Sequence, residues 1–297
     1  MGQSNLSTKT SLNKSNFEKV LIGRVDSMLN TINAHSKIVN EPLRYALKVR
    51  GKCVRPILLY LTADALELNY NQFDNFAAAL EVLHTYSLVH DDLPCMDDDD
   101  LRRGLPTLHK KYNDSTAVLV GDALQTLSFQ LIADDQNFSD EIKIKVISLL
   151  TKTTGQNGMI NGQFLDLYFE NNFASQEDII EMNILKTSLL IETAMDIPLI
   201  INGDKEKNWV DLQRIVGLSF QIIDDIIDLT QPTEILGKTA KKDLAAQKKT
   251  LPLMIGIDAA KKELNNYKND ALDIISNLRL SNHPLKFYIE SLFSRVR

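Results

Sequence analysis

Apolar residues along most of the chain recur at spacings of three and four, which is the period of a helix that buries one face. One such series is Phe73, Phe76, Ala77, Leu80 and Leu83. We find no stretch with the alternating pattern of a β-strand bounded by hairpin turns, and breaks such as Glu41-Pro42 separate segments of helical length. The pattern therefore predicts an all-α fold, a single large helical bundle with almost no sheet.

The domain organisation predicted from the sequence is simple. The chain shows neither an internal repeat nor a long linker, so we predict one helical domain over residues 16–297. Residues 1–15 are polar and rich in Ser and Thr, and we expect them to form a disordered tail. A targeting role for this tail stays open, although it lacks the arginines that organelle-targeting peptides usually carry.

Composition places the chain among ordinary globular proteins, since 44% of its 297 residues are apolar and 24% are charged. Acidic residues outnumber basic ones 39 to 33, which argues against a nucleic-acid partner. The two cysteines, Cys53 and Cys95, are too few for a disulfide framework and suit a reducing compartment. No run approaches the ~18 apolar residues of a membrane span. We therefore expect a cytoplasmic protein without a membrane span.

One predicted helix, residues 212–230, is apolar nearly all round and yet carries aspartates near its end. These are Asp224, Asp225 and Asp228. A buried carboxylate without a partner costs at least several kcal/mol, and Asp224 and Asp228 lie about 40° apart around a helix. Their side chains can therefore converge on one point, where we expect a cation.

Another acidic cluster lies earlier in the chain: residues 91–100 read DDLPCMDDDD and form the first cluster, and Asp224, Asp225 and Asp228 form the second. Because Pro94 clashes with a preceding helical turn, we expect residues 93–96 to bulge and to return Asp97 toward Asp91. A solvated acidic loop is the alternative for residues 97–100. Carboxylate oxygens suit Mg²⁺, which completes its shell with substrate phosphate oxygens. Together the two clusters predict a diphosphate site with two or three metal ions.

Basic residues accompany the acidic clusters. Arg102 and Arg103 follow the first cluster directly, and Lys52 and Arg55 are spaced to share one helix face. Guanidinium groups beside metal-binding carboxylates are what a polyphosphate needs. Lys186 stands alone in an apolar stretch, where a surface lysine is the alternative. We expect a solvated face for most lysines of a later segment: Lys241, Lys242, Lys248 and Lys249.

The segments YSLVHDDLPCMDDDDLRRG and FQIIDDIID resemble the two aspartate-rich motifs of the trans-isoprenyl diphosphate synthases, and most closely those of bacterial-type farnesyl diphosphate synthases. The segments RGKCVRP, GDALQT, GQFLDL and LKT fall in the order of that family, from about residue 40 to the C-terminus. The resemblance implies a homodimeric helical bundle of the isoprenoid synthase type, with both aspartate motifs lining a central cavity.

The reaction implied by the resemblance is a head-to-tail condensation of isopentenyl diphosphate with dimethylallyl or geranyl diphosphate. Ionisation of the allylic C–O bond, assisted by about three Mg²⁺ ions with Mn²⁺ as a substitute, would be followed by attack of the second substrate's double bond. The products would be farnesyl diphosphate (C15) and diphosphate, which would itself accept the released proton.

Carried over to this chain, the resemblance assigns a role to each site residue. The Mg²⁺ ligands would be Asp91, Asp97 and Asp224, with support from Asp92, Asp225 and Asp228. The allylic diphosphate would be held by Arg102, Lys186 and Lys238. Isopentenyl diphosphate would be held by Lys52, Arg55, His84 and Arg103. Residues near the developing cation would be Thr187 and Gln163, with Asp166 supporting the basic residues or metal-bound waters. A core histidine is the alternative for His84.

Product length is predicted from the residues that precede the first motif. Tyr86 and Ser87 lie about one helical turn before Asp91, so the large ring of Tyr86 should form the floor for the growing chain. An aromatic residue there, with the two-residue insertion, goes with a C15 product in the family. Cys95, within the segment LPCMD, resembles the residue at this position in some C20 synthases. A geranylgeranyl diphosphate synthase is therefore the alternative. The chain departs from the family at Arg50 and Cys53, which replace a glycine and an arginine.

Three other kinds of protein were compared with this prediction. A di-iron carboxylate bundle needs two Glu-x-x-His elements, and the sequence has one, EVLH at residues 81–84. A terpene cyclase would not need Lys52 and Arg55 for a second diphosphate. A non-catalytic regulatory subunit of a prenyltransferase would be expected to lack metal-ligand aspartates, and all are present here. We therefore predict an active enzyme.

Overall fold

The chain folds into a bundle of helices with one short ribbon of two strands. A computed structural model describes residues 14–49, 51–203, 206–230 and 249–296. The helices of its first half are α1 Lys14–Thr31, α2 Lys37–Lys48, α3 Val54–Ala65, α4 Asp74–Asp91, α5 Leu108–Lys111, α6 Asp114–Ala133 and α7 Asp140–Thr154. The helices of its second half are α8 Met159–Asn171, α9 Gln176–Asn183, α10 Leu189–Asn202, α11 Lys207–Thr230, α12 Leu251–Ile255, α13 Ile257–Asn277 and α14 Pro284–Phe293. The predicted all-α fold is confirmed.

Shorter elements connect these helices. A π-helical turn, Ile184–Ser188, joins α9 to α10, and 3₁₀ turns occupy Tyr70–Phe73 and Ser294–Val296. Strands β1 (Leu101–Arg102) and β2 (Leu105–Pro106) pair antiparallel. The positive φ angles of Arg103 (56°) and Gly104 (78°) let the chain reverse between these strands within two residues.

The centre of the bundle is built on α3 and α4. Helix α3 carries apolar residues on all sides, which is typical of a helix surrounded by others, and Ile57, Leu58 and Leu61 are fully buried. It packs between α4 and α10, while α4 also packs against α6, and α11 packs against α10 and α13. One apolar core extends from Phe17 to Phe293 through the described residues.

Helix ends follow from local sequence. The Asn113 side chain accepts from Thr116 N at 2.8 Å and begins α6. Ser175 and Asp178 begin α9 with a reciprocal capping box. Gly203, with φ of 74°, ends α10 in the left-handed conformation that a glycine adopts without strain. These caps fix where the elements of the site start and stop.

The break predicted at Glu41-Pro42 is wrong, because α2 runs through Pro42. A proline inside a helix leaves the carbonyl four residues earlier without its usual donor. That residue is Ile38, whose side chain is 87% exposed, so water can reach this turn. The helix therefore tolerates the proline at its solvent side.

Helix α6 is, among the described residues, the one helix that length and composition would allow to cross a membrane. A third of its most apolar window is buried in this structure, and it packs against α4 and α7. Its exposed apolar residues include Val118 and Leu119. The face that carries them is therefore an unpaired apolar surface of the described structure.

Several predictions lie outside the described part of the chain. Of the tail predicted over residues 1–15, residues 1–13 lie outside the described part. The last two positions belong to α1, which begins at Lys14. Arg50, Lys238, Lys241, Lys242 and Lys248 also lie outside the described residues.

Candidate active site

A cavity of about 1440 Å³ opens among α3, α4, α8, α11 and the π-helical turn. Aspartates of both acidic clusters line it, together with the basic residues predicted near them. The predicted site residues that line the cavity are Lys52, Arg55, His84, Tyr86, Ser87, Asp91, Asp97, Arg102, Arg103, Gln163, Asp166, Lys186, Thr187, Asp224, Asp225 and Asp228. Segments far apart in sequence therefore meet at one place.

The residues between Asp91 and Asp97 form the predicted bulge. Helix α4 ends at Asp91, and the chain turns so that Asp97 N donates to Asp91 O at 2.8 Å. Asp98 N donates to Leu93 O at 3.1 Å and holds the turn closed. The expectation that residues 93–96 bulge and return Asp97 toward Asp91 is confirmed.

The Asp91 carboxylate has an unusual electrostatic environment. Its pKa is raised to about 6, mainly by burial and also by the neighbouring Asp97, while Lys186 and Arg102 act in the opposite direction. Gln163 Nε2 donates to Asp91 Oδ1. A cation placed between Asp91 and Asp97 would relieve the cost of ionising both carboxyl groups.

Asp92 does not line the cavity but lies behind its wall. It accepts a hydrogen bond from Arg102 Nε at 3.0 Å, and Arg102 Nη2 also donates to Asp99 Oδ2 at 3.0 Å. Two carboxylates therefore hold the Arg102 guanidinium against the cavity. Asp92 therefore orients the Arg102 side chain.

The second acidic cluster is connected to the π-helical turn and to the C-terminal end of the described chain. Gln221 Nε2 donates to Asp225 Oδ1 at 2.7 Å, and Gln221 Oε1 accepts from Thr187 Oγ1 at 2.7 Å. Arg295 Nη2 donates to Asp224 Oδ1 at 2.8 Å, and its guanidinium lies 5.2 Å from the centre of the Phe220 ring. Asp224 thus already holds a cationic group.

Two glycines let neighbouring helices approach the π-helical turn. A Cβ atom at Gly162 on α8 would lie 2.7 Å from Lys186 Cα, and one at Gly217 on α11 would lie 2.8 Å from Ser188 Cβ. Lys186 Nζ donates to Asp166 Oδ2 at 2.5 Å, as expected of an aspartate that supports a basic residue. Single π turns are frequent at functional sites because they redirect adjacent side chains.

The basic end of the cavity is buried. Burial lowers the pKa of Arg55 to about 10, although Glu81 opposes that change. Among the described residues, the buried Arg55 Nε has no hydrogen-bond partner. A buried guanidinium with an unused donor is suited to an anion such as a phosphate.

His84 lies in the same region, where burial and the charges of Arg55 and Arg103 lower its pKa well below the ordinary value. Arg103 Nη1 donates to Val49 O at 2.7 Å. A Cβ atom at Gly51 would lie 2.7 Å from Arg103 Cζ, so the glycine of RGKCVRP makes room for this arginine. Of the two positions that depart from the family pattern, Arg50 and Cys53, the structure describes Cys53. It is buried and has a φ of 48°.

The other end of the cavity is apolar. Tyr86 is buried, and its ring lies edge to face with His90 at 5.1 Å between centroids. Ser87 Oγ donates to the His84 carbonyl at 2.9 Å, within α4. Apolar side chains that also line the cavity include Met159, Met182, Leu190 and Ile227.

Some cavity residues were missed at the level of the sequence. Arg295 and Gln221 were not singled out, and Gln221 could have been found as a residue four positions before Asp225 on the same helix. Lys249 belongs to the segment in which a solvated face was expected for most lysines, but it lines the cavity, and its Nζ donates to Phe169 O at 2.8 Å. The carbonyls at the end of α8 attract this ammonium group.

The donor set fits a divalent metal with hard oxygen ligands. Among the described residues, no three carboxylate, imidazole or thiolate groups lie close enough to enclose one ion. Mg²⁺ does not require such a cage, because it keeps waters and takes one or two carboxylates together with phosphate oxygens. Asp91 and Asp97 on one side and Asp224 on the other meet that requirement.

Carboxylates and guanidinium groups at one end of the cavity and apolar walls at the other define a site for a molecule with a diphosphate head and a hydrocarbon tail. Comparison with known proteins agrees with this description. The family model described as polyprenyl synthetase matches residues 36–277, and the chain belongs to that family.

The farnesyl diphosphate synthase of Micrococcus luteus is 39% identical over 273 residues, covering 91% of this chain and 94% of that protein. The chloroplastic geranylgeranyl pyrophosphate synthase 7 of Arabidopsis thaliana is 36% identical over 270 residues, covering 87% of this chain and 78% of that protein. The geranyltransferase of Helicobacter pylori, solved in complex with magnesium and isoprenyl diphosphate, has a TM-score of 0.84 at 33% identity. The match covers 96% of this chain and 98% of that one.

Proposed function

We propose that the protein is a Mg²⁺-dependent short-chain prenyltransferase that condenses isopentenyl diphosphate with dimethylallyl or geranyl diphosphate. The observation that carries this proposal is the cavity itself, which is lined by both aspartate clusters, by two sets of basic residues and by apolar side chains. The similarity to farnesyl and geranylgeranyl diphosphate synthases supports the same reaction.

The metal would be held from two sides of the cavity. Asp91 and Asp97 would bind from the first cluster and Asp224 from the second, with Asp225 and Asp228 in support. The structurally similar geranyltransferase of Helicobacter pylori was solved with magnesium, and we propose about three Mg²⁺ ions here, with Mn²⁺ as a substitute. When bound, the metal supplies positive charge that stabilises the departing diphosphate. Because Arg295 donates to Oδ1 of Asp224, a metal ion would bind the other oxygen of that carboxylate or displace the arginine.

The basic residues of the chain divide between the two substrates. Arg102, oriented by Asp92 and Asp99, would hold the allylic diphosphate together with Lys186. Lys238, which lies outside the described residues, would contact the same diphosphate. Isopentenyl diphosphate would lie against Lys52, Arg55, His84 and Arg103.

The chain's own residues need only orient and stabilise, because neither a nucleophile nor a tuned base is required. The cationic side chains favour ionisation of the allylic C–O bond by holding the leaving diphosphate. Gln163 and Thr187 present side-chain oxygens and amide dipoles near the developing cation. After the new C–C bond forms, the resulting cation would lose a proton to the released diphosphate.

We propose farnesyl diphosphate (C15) as the main product, because Tyr86 is a large, buried ring at the apolar end of the cavity. Geranylgeranyl diphosphate (C20) is the second candidate, favoured by the similarity to the Arabidopsis thaliana enzyme. The difference between them is one five-carbon unit, so the position of the cavity floor decides which is made.

The experiment is to incubate the purified protein with Mg²⁺, isopentenyl diphosphate and either allylic starter, then to identify the dephosphorylated alcohols by mass spectrometry. We expect farnesol, and its loss in Asp91→Ala. Geranylgeraniol would retain the reaction and overturn the C15 product. A folded protein that makes no longer alcohol from either starter would contradict the proposed function.

We further propose that residues 16–297 act as one domain in a cytoplasmic homodimer that has neither a membrane span nor a nucleic-acid partner. The support for a dimer is the exposed apolar face of α6, where Leu119 is 67% exposed. A second copy of the chain would cover this face and remove it from water.

A further inference from the structure

The ring of His90 lies at the contact between α4 and α6, in a place that the proposed function leaves without a role. His90 directly precedes Asp91, and it lines the cavity together with Tyr86. Its Nε2 donates to the backbone oxygen of Val118 at 3.0 Å. That oxygen can only accept, so Nε2 carries the hydrogen.

The His90 ring packs directly against Gly121 on α6. Gly121 is buried, and the three atoms nearest to a Cβ atom built there all belong to the His90 imidazole. Even the farthest of the three, Cε1, would lie at 2.8 Å, closer than a side chain can approach. The His90 ring is the nearest obstacle to a larger residue at this position, so such a residue would act on the structure first through His90.

The His90 ring also contacts Tyr86. The two residues are one helical turn apart on α4, and their rings lie edge to face at an interplanar angle of 75°. The imidazole therefore contacts both Gly121 on α6 and Tyr86 on α4, and its hydrogen bond to Val118 fixes its orientation. A methyl group at Gly121 would occupy the place of the ring, so the ring would have to move relative to Tyr86 at the wall of the cavity.

We propose that His90 is a positioning residue that, seated on Gly121, fixes Tyr86 as the floor of the hydrocarbon cavity and so determines product length. The inference rests on the proposed function, since it concerns the length of the chain that the same site would build. Hydrophobic pockets discriminate one extra carbon unit by shape, so a shifted floor changes the product ratio roughly tenfold.

The test is a double-mutant cycle that measures the ratio of C10, C15 and C20 alcohols at equal total turnover. We expect Gly121→Ala to displace the ring into the cavity and to shift the main product from C15 toward C10. His90→Ala should release Tyr86 and shift it toward C20. In the double variant the added methyl group meets no ring, so the C10 shift should disappear.

Gly23→Ala is the matched control, because Gly23 also lies within a helix but a Cβ atom there meets nothing within 4 Å. It should keep the wild-type product ratio. Thermal unfolding of each variant checks folding, and His90→Ala keeps the test decisive if Gly121→Ala does not fold. A wild-type ratio in either folded single variant would overturn the inference. So would a C10 shift that persists in the double variant.

These outcomes are separate from failure of the proposed function. If the wild-type protein elongates neither starter, the reaction itself is wrong. If it elongates normally and the variants change only stability or rate, His90 has a structural role and the inference about product length is wrong.

Discussion

The imidazole of His84 lies in the most positive part of the cavity, and its pKa is lowered well below the ordinary value by burial and by Arg55 and Arg103. It is therefore neutral near pH 7 and would contribute a ring N–H to a diphosphate oxygen. An uncharged donor should replace it. We expect His84→Ala to raise KM for isopentenyl diphosphate roughly tenfold or more, the value of one hydrogen bond to a charged group, and His84→Gln to raise it much less.

Initial rates at varied isopentenyl diphosphate, with the allylic starter saturating, measure this difference. The KM for the allylic substrate should stay unchanged in both variants. Equal effects of the two substitutions would show that His84 contributes packing rather than a donor.

Asp91 gives the site a pH dependence. Its pKa is about 6 because of burial, so the folded protein binds a proton there that must leave before a metal binds. The raised pKa means that the carboxylate form prevails only above about pH 6, and metal affinity should therefore rise with pH through this value. We expect Mn²⁺ to bind roughly tenfold more weakly at pH 5 than at pH 7.5, as one displaced proton requires.

Titration calorimetry with Mn²⁺ at the two pH values measures the change. Asp91→Asn cannot take up this proton, so it should bind weakly at both pH values and show a smaller difference. An affinity that is the same at pH 5 and pH 7.5 in the wild-type protein would contradict this account.

At the scale of residues, the sequence predicted contacts that depend on local chain geometry. The return of Asp97 to Asp91 follows from Pro94 and needs no information from the rest of the fold. The contact of Arg295 with Asp224 joins residues 71 positions apart and depends on how α14 docks. Lys249 likewise meets the end of α8 through tertiary packing, which periodicity does not encode.

At the scale of elements, the π-helical turn at Ile184–Ser188 is the feature that places Lys186 and Thr187. The segment ILKTSLL is compatible with an ordinary α-helix, so its sequence period alone did not predict the extra residue in this turn. The turn is recognised only through its neighbours, since Gly162 and Gly217 bring α8 and α11 unusually close to it.

The close approach of α8 to this turn should be necessary for catalysis. A methyl group at Gly162 would push α8 away from Lys186, which carries a proposed diphosphate contact. We expect Gly162→Ala to lower kcat/KM roughly a hundredfold, the effect of a displacement of about 1 Å in a positioned group. Steady-state kinetics measure it, with Gly23→Ala as the control for the substitution itself. Wild-type kinetics in Gly162→Ala would mean that the turn tolerates displacement.

At the scale of the whole molecule, the exposed apolar face of α6 is the surface where a second copy should bind. Leu119 is 67% exposed on this face, whereas the comparably apolar Ile38 is 87% exposed on α2. We expect Leu119→Glu to place an unpaired charge in the interface and to convert dimers to monomers. Ile38→Glu, outside that face, should remain dimeric.

Sedimentation velocity at several protein concentrations distinguishes these states. A wild-type protein that sediments as a monomer, or a Leu119→Glu variant that remains a dimer, would place the subunit contact elsewhere or remove it. Circular dichroism shows whether each variant keeps its helices.

The central claim is that metal ligands from α4 and α11 face one diphosphate across the cavity. The most direct test is a crystal structure with Mn²⁺ and diphosphate, with the metals located by anomalous scattering. We predict Mn²⁺ at Asp91 and Asp97 and, across the same diphosphate, at Asp224. Metal at only one of the two clusters, or diphosphate bound without metal, would contradict the account.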